Sequence, residues 1–550
     1  MTLFNRETVG TLRSRYLRGL RDTHLLLVIL LGFGIAKVFF YNPVPVGDYR
    51  FDDGNFYYQV ARHVAEGDGL VTSVSAQGLG LKHLPAAYTA YPLWPLVLGG
   101  SGAVFGLKTS TVLLPEVLFF VDLLLIYLLG DAMAGSWSAP RSIDFPAPPL
   151  VHLGHLAVLL LGGNQVFFKF TSFPFTEGLA MALVLGTILV TGLASRGRSV
   201  RWGIAAGLLA SFAYLTRYQM VGVMLAVPIA LGVAAVQDRY LLRAAVAAGL
   251  ASIGIVALWF TWLTSVYGVA DPRLLVDPTA VVFTPTLEKY SWLVVPPTSL
   301  GFLKDRLQGV LVAFNPNHSF SYIASFGMVV YTIPLAAIMF LFMRRRSSPG
   351  GRWERSGHSG RGLVSLTTVL VGLACLAPVH MLHSNRFGGW FFQFRHGIPI
   401  ILLVIAAIGY LGSRKSVSVR VVTFLLVLSS LWTEALATRA ELYRDRDFAG
   451  PTVAHRELRA WIEGQDPQPV FATVHGYALG ALTRGLFHVV ECDESSEQMQ
   501  VYVDRVGVDH LVARGSERDC GFVRNLSDRI EQVVQFGEGK AELVVWRVVR

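Results

Sequence analysis

The chain has 550 residues, 53% of them hydrophobic and only 15% charged, yet its net charge is +10. Soluble globular domains run near a quarter charged residues, so this composition falls outside that class. With 34 Phe and 11 Trp it is no disordered polymer, and with three cysteines it is no disulfide scaffold.

About 20 apolar residues cross a bilayer core. Eleven stretches approach that length: 24–41, 110–130, 150–168, 174–194, 202–216, 219–236, 244–266, 322–343, 363–382, 397–411 and 421–437. A further stretch at 91–106, YPLWPLVLGGSGAVFG, is apolar but broken by Pro and Gly. It reads as a re-entrant or interfacial piece. The first run is long and no A-x-A-like site follows it, so it reads as a span and not as a cleaved signal peptide. With the N-terminus inside, the cytoplasmic loops hold 20 Lys/Arg in 84 residues and the outer loops 12 in 144. That bias places the protein in the plasma (inner) membrane as a multi-pass chain with a cytoplasmic N-terminus. An odd number of spans then puts 438–550 outside. The basic excess is therefore a topology signal: the cytoplasmic loops carry +14 and the tail −4, which gives no ground for a nucleic-acid partner.

From Arg439 the text alternates short apolar strands with amphipathic helix, as in HRELRAWIEG (455–464), PVFATVHG (469–476), HVVECDE (488–494) and AELVVWRVV (541–549). This predicts a small extracytoplasmic α/β domain over 438–550, after a multi-span domain over 1–437. Cys492 and Cys520 both lie in it; a disulfide and two unrelated small apolar residues are equally open. Cys375 falls in a span and reads as packing.

Candidate chemistry collects on the outer side. Asp52 and Asp53 open the first outer loop in FDDGNFYYQVARHVAEGDGL (51–70), which ends in a Gly67-x-Gly69 turn. Adjacent carboxylates at a membrane surface suit a general base or a cation ligand. They equally suit the N-cap of a helix beginning near Asn55. Glu177 sits where the third span turns into the fourth, as a site acid or as a helix-start charge. Arg217 in LTRYQ, and Arg395 with His396 in FFQFRHGIP, suit a phosphate headgroup or snorkelling anchors. Lys37, Glu116 and Asp122 lie in spans, where charge is costly; Glu116 and Asp122 read as functional candidates or, equally, as groups satisfied by neighbouring helices. No His/Cys cluster of the zinc-binding kind is present in the sequence.

One span, an outer loop opening with Asp-Asp-x-x-x-aromatic, Ala61-Arg62, the Gly67–Gly69 turn and the Tyr91–Pro95 segment together resemble the polytopic GT-C glycosyltransferases. The nearest subgroups are the dolichyl-phosphate-mannose-protein mannosyltransferase-like enzymes and the bacterial arabinofuranosyl and aminoarabinose transferases. The likeness runs through most of 20–240 and is looser beyond. TEGLAM and LTRYQ fit the family's layout, and RHGIP resembles its late Arg-Tyr-x-x-Pro element with His396 in place of Tyr.

The resemblance implies an α-helical polytopic membrane protein of GT-C type, with about 11 transmembrane helices, amphipathic helices in the first outer loop, and a small C-terminal α/β domain. It also implies inverting transfer of a sugar from a polyprenyl-phosphate donor to an extracytoplasmic glycan, lipid or protein. The family's first-loop acid falls on Asp53, with Asp52 the adjacent alternative. Its second acid falls on Glu177, which would orient the acceptor or, in metal-using members, hold a divalent cation such as Mg or Mn. No cofactor is required by this chemistry. Arg217, Arg395 and His396 would neutralise the departing phosphate. Two departures stand out: Asp-Asp followed by Gly54 where many relatives have Asp-Glu, and no Trp-Trp-Asp tract, which disfavours whole-oligosaccharide transfer to asparagine. The competing expectations are a lipid or solute transporter or flippase, and a catalytically degenerate GT-C protein with a glycan-binding C-terminal domain.

Overall fold

The computed structural model describes residues 23–38, 52–75, 84–88, 91–137, 153–163, 167–168, 171, 174–217, 220–235, 238–267, 453–538 and 542–549. The last four expected spans, with Cys375, Arg395 and His396, lie outside the described residues.

The described N-terminal part is mostly helical. In chain order it contains α1 (Thr23–Val38), α2 (Asp52–Glu66), α3 (Leu93–Phe105), α4 (Leu107–Trp137), α5 (Leu153–Gly162), α6 (Thr176–Gly197), α7 (Val200–Thr216), α8 (Val221–Ala235) and α9 (Tyr240–Tyr267). Among the described residues, Leu107–Gly130, Thr176–Gly197 and Tyr240–Val266 are long and apolar enough to cross a membrane. Seven of these helices fall on the first seven expected spans. The protein is a multi-pass membrane protein.

The pattern on α9 explains the packing. Leu242, Val246, Leu250 and Ile253 recur every three or four residues on a bare apolar face suited to lipid. Its other side, Leu241, Ala244, Ala245 and Ala248, is buried. There α7 supplies Gly203 and Gly207, and a Cβ at Gly203 would lie 2.6 Å from the Ala244 carbonyl oxygen. Small residues at four-residue spacing allow this close crossing. Ser211 Oγ donates to the Ser252 carbonyl (3.2 Å) and Ser252 Oγ to the Gly207 carbonyl (3.1 Å), locking the pair.

Two local expectations change. The 91–106 stretch, expected to be broken, holds the continuous helix α3. Pro92 is its N-cap and Pro95 lies in its first turn, where a missing N–H forfeits no helical bond. At 13 residues, roughly 20 Å long, α3 is too short to span. The first-loop helix begins at Asp52 instead of near Asn55. Asp52 and Asp53 therefore lie inside its first turn, facing the positive end of the helix dipole. The helix ends at Gly67 and Gly69, whose φ values of +93° and +86° suit residues without a Cβ.

Three short strands follow: β1 (Val71–Thr72), β2 (Val74–Ser75) and β3 (Ala86–Ala87), with β1 antiparallel to β3. Residues 453–549 contribute α10 (Val453–Glu463), β4 (Val470–Thr473), α11 (Gly476–Thr483), β5 (Leu486–Val489), α12 (Ser496–Val501), β6 (His510–Arg514), α13 (Gly521–Arg524), β7 (Ile530–Phe536) and β8 (Leu543–Val548). They build a six-stranded sheet ordered β2-β5-β4-β6-β8-β7, parallel from β2 to β6 and antiparallel at β8 and β7. Along β8, Leu543 and Val545 face the Phe471–Phe487 layer, while Val544 and Trp546 face the Tyr502–Phe522 layer. Both faces are buried, as a mainly parallel sheet requires. Cys492 and Cys520 form a disulfide. The edge strand β2 comes from the loop that follows α2, so that loop and the C-terminal sheet share one hydrogen-bonded framework.

Candidate active site

The site is assembled where α2, α3, α6 and α7 begin or end. Glu177 lies in the first turn of α6 and is 4% exposed; Arg217 follows the last residue of α7 and is 8% exposed. Arg217 Nη1 donates to Glu177 Oε1 and, at 3.0 Å, to Thr176 Oγ1. The two residues expected separately as acid and phosphate cation are thus one buried ion pair, and low exposure strengthens such a charge-assisted contact.

Asp53 stands half-buried one helical turn before Tyr57. Burial pushes the Tyr57 hydroxyl well above its ordinary range. The Asp53, Tyr91 and Glu177 charges push the same way, and Arg217 opposes them. One buried hydroxyl therefore lies within electrostatic reach of Asp53, Glu177 and Arg217. Asp52 is the first residue of α2.

Aromatic residues fix the wall. Trp94, fully buried at the start of α3, donates from Nε1 to the Pro174 carbonyl at 2.8 Å, tying α3 to the turn that leads into Glu177. Tyr91 holds φ at +41° directly before Pro92, a strained geometry of the kind that collects at functional sites. A Cβ on Gly99 would lie 2.6 Å from the Ala61 carbonyl, so α3 touches the α2 backbone. Reading the sequence missed Tyr57 and Thr176. The first is legible as the residue four after Asp53 on the same helix face.

The in-span charges divide. Lys37 pairs with Glu116 at 2.9 Å and sits 4.0 Å over the Phe119 ring. Asp122 is fully buried, and among the described residues neither of its carboxylate oxygens has a hydrogen-bond partner. Elsewhere among the described residues, His63, Glu66 and Asp68 bring ligand atoms within 4.8 Å of one another. Fold contacts already occupy that group: His63 meets Asp68 (2.9 Å) and Ser73 (2.5 Å), and Glu66 meets Arg484.

No family model and no curated protein matches the sequence. Solved structures do match. The archaeal oligosaccharyltransferase AglB from Archaeoglobus fulgidus, in complex with an inhibitory peptide and a dolichol-phosphate, aligns at TM-score 0.51 and 11% identity over 90% of this chain and 69% of that one. The arabinofuranosyltransferase AftD from Mycobacteria aligns at TM-score 0.50 and 15% identity over 96% of this chain and 40% of that one. This chain therefore spans about two-fifths of AftD. ArnT from Cupriavidus metallidurans aligns at TM-score 0.41 and 13% identity. The chain has the GT-C fold of membrane glycosyltransferases.

Proposed function

We propose that the protein is a membrane glycosyltransferase that moves a sugar from a polyprenyl-phosphate donor to an extracytoplasmic acceptor, with inversion at the anomeric carbon. The observation that carries this reading is the buried Glu177–Arg217 ion pair, with Asp53 close enough that its charge and theirs all act on the Tyr57 hydroxyl. The GT-C fold supports it, and AglB itself is solved with a dolichol-phosphate.

Asp53 takes the proton of the acceptor hydroxyl as its oxygen attacks the anomeric carbon. The bond from that carbon to the phosphate oxygen breaks, and the polyprenyl phosphate leaves with the electron pair. A phosphate leaves without protonation, so one base suffices, unlike the two carboxyl groups of glycoside hydrolases. Glu177 holds Arg217, whose remaining donors meet the departing charge. The resemblance adds Arg395 and His396, which lie outside the described residues, to this cationic set. Tyr57 stays protonated and serves as a donor.

Glu177, through its second carboxylate oxygen, and Asp53 are the residues that would hold a divalent cation if the reaction used one, and such a cation would add to the charge of the guanidinium. The acceptor is a glycan, a lipid or a protein. The Cys492–Cys520 disulfide supports an oxidising, extracytoplasmic side for the sheet and for the first loop paired with it.

The test uses purified protein in lipid nanodiscs and synthetic short-chain polyprenyl phosphates carrying mannose, arabinofuranose or aminoarabinose. Asp53→Asn is expected to lower turnover by about 10²- to 10⁴-fold, the usual contribution of a general base. Full turnover by both Asp53→Asn and Glu177→Gln sinks the assignment.

A further inference from the structure

The helix bearing Asp53 is gripped from two sides. On one side it lies against α3 at Gly99. On the other it lies against α11 of the C-terminal sheet, and there the contact is made by a charge. Arg62 is only 7% exposed. Its Nη1 donates to the Ala481 carbonyl (3.3 Å) and its Nη2 to the Gly480 carbonyl (3.4 Å), both in α11 near its negative C-terminal end. Arg62 Nε is buried with no partner among the described residues.

Neighbouring contacts run in the same direction. Glu66 meets Arg484 at 2.6 Å, Phe56 stands edge-on to Tyr477 at 5.5 Å, and the Ser73 carbonyl accepts from Phe487 N at 3.0 Å. Gln59 reinforces the turn, with Nε2 donating to Thr72 Oγ1 (2.7 Å) and Oε1 accepting from Ser73 N (2.9 Å).

A buried guanidinium whose hydrogen bonds go to neutral carbonyls is a costly way to fill a helix crossing, even with the Glu66 charge nearby, and an apolar side chain would fill it at lower cost. An apolar contact slides, however, whereas a planar fork on two consecutive carbonyls fixes both the separation and the rotation of one helix against the other. Asp53 lies nine residues before Arg62 on the same helix, about 13 Å along its axis. Rotation at the Arg62 end is therefore transmitted to the carboxylate.

We propose that Arg62 is a positioning residue for sugar transfer: it ties α2 to α11 so that the C-terminal sheet sets where Asp53 stands against the Glu177–Arg217 pair. This rests on the reading of Asp53 as the base. Arg62 touches neither donor nor acceptor in this account, so its loss acts on the chemical step and leaves donor capture alone. Burial lowers the Arg62 guanidinium from its usual range while Glu66 opposes the change, in keeping with a group held for geometry inside a protein interface.

The full-length chain in nanodiscs carries the test, with Asp53→Asn, Arg62→Ala and Arg62→Lys measured in parallel. The probes are whichever of the three donors the wild type turns over, and free short-chain polyprenyl phosphate as a binding ligand. Arg62→Ala is expected to lose on the order of 10²-fold in kcat, the scale of a misplacement of about 1 Å. Its donor KM and its affinity for polyprenyl phosphate stay at wild-type values. Arg62→Lys, which keeps one donor for these carbonyls, recovers part of kcat. Amide hydrogen exchange over 52–66 rises in Arg62→Ala, while exchange in α6 and α7 does not.

Wild-type kcat in Arg62→Ala overturns the proposal. So does parallel loss of turnover and polyprenyl-phosphate binding in both Arg62 variants, which would place Arg62 in the donor site or in folding. If Asp53→Asn stays active, the base reading fails by itself. The exchange data then decide the tie: unchanged exchange over 52–66 sinks it, and faster exchange confined there upholds it.

Discussion

The membrane helices and the C-terminal sheet bury titratable side chains in opposite ways. Among the described helices, Lys37 pairs with Glu116 and Arg217 with Glu177. In the sheet, His455, His488 and His510 are buried, and burial is the main force lowering each below its ordinary range. His455 falls to about 4, helped by Arg514 and His475, and His488 falls to about 3. Asp509 partly opposes the change at His510. These helices keep charge by pairing it, and the C-terminal domain holds these three histidines neutral by burying them. His510 lies 5.6 Å from both Trp461 and Phe471. A buried charge is retained only against a desolvation cost, so a pair kept at the mouth of α6 and α7 marks the place where charge is needed.

The strongest way to break this contrast is to split the Glu177–Arg217 pair. Removing one partner of a buried pair costs about 3–5 kcal/mol, because the other is left uncompensated. Arg217→Met and Glu177→Gln should each lower thermal stability, read by tryptophan fluorescence in nanodiscs, and each should abolish or nearly abolish transfer. The swap Glu177→Arg with Arg217→Glu should recover stability more than the single changes suggest. It should not recover transfer, since the cation is moved. A swapped protein with wild-type turnover would show that the pair is structural only.

Acid should act on the sheet. The unfolded histidines protonate near 6.5 while the folded ones resist. The unfolded state therefore binds more protons below that pH. Stability that is complete at neutral pH is lost as pH falls toward the lowered values, by about 1.4 kcal/mol per pH unit for each such group. Denaturant unfolding followed through Trp461 and Trp546 should weaken steadily between about pH 6.5 and 4.5. His488→Phe should flatten one group's share of the slope. A flat profile in the wild type would mean that these rings find proton partners when charged.

The parts of this picture that were legible in the sequence share one property: they depend on local composition. Apolar length marks α4, α6 and α9, and a short apolar run marks β8. The Asp53–Ala61–Arg62 spacing marks α2. What was not legible depends on contacts between residues far apart in the chain. Glu177 and Arg217 were both singled out, but as separate actors; their pairing requires the start of α6 to lie beside the end of α7. Arg62 was visible only as part of a motif, and its carbonyl partners lie 418 and 419 residues away. Strand β2 is two residues long, too short to announce itself, and its partner strand β5 is at the other end of the chain. The prolines of 91–106 misled because their effect depends on where the helix starts.

Asp122 is the exception that most sharpens the comparison, although its substitution should have the smallest effect. It lies among Phe119, Leu123 and Ile126 in α4, with Val158 and Leu161 of α5 in the same core. No described cation or donor meets its oxygens. An unsatisfied buried polar group costs about 1–3 kcal/mol, and an apolar residue of similar shape removes that cost. Asp122→Leu should therefore leave stability unchanged or raise it by about 1–2 kcal/mol, with wild-type transfer. Asp122→Asn should be close to neutral in both measurements. A carboxyl kept in an apolar core against that cost requires a reason, and a proton path across the helices is the one that the transporter reading supplies. Loss of transfer in Asp122→Leu with stability intact would move Asp122 from the packing of α4 to the chemistry. The division would then run between groups that move protons and groups that do not, in place of paired helices and neutral sheet.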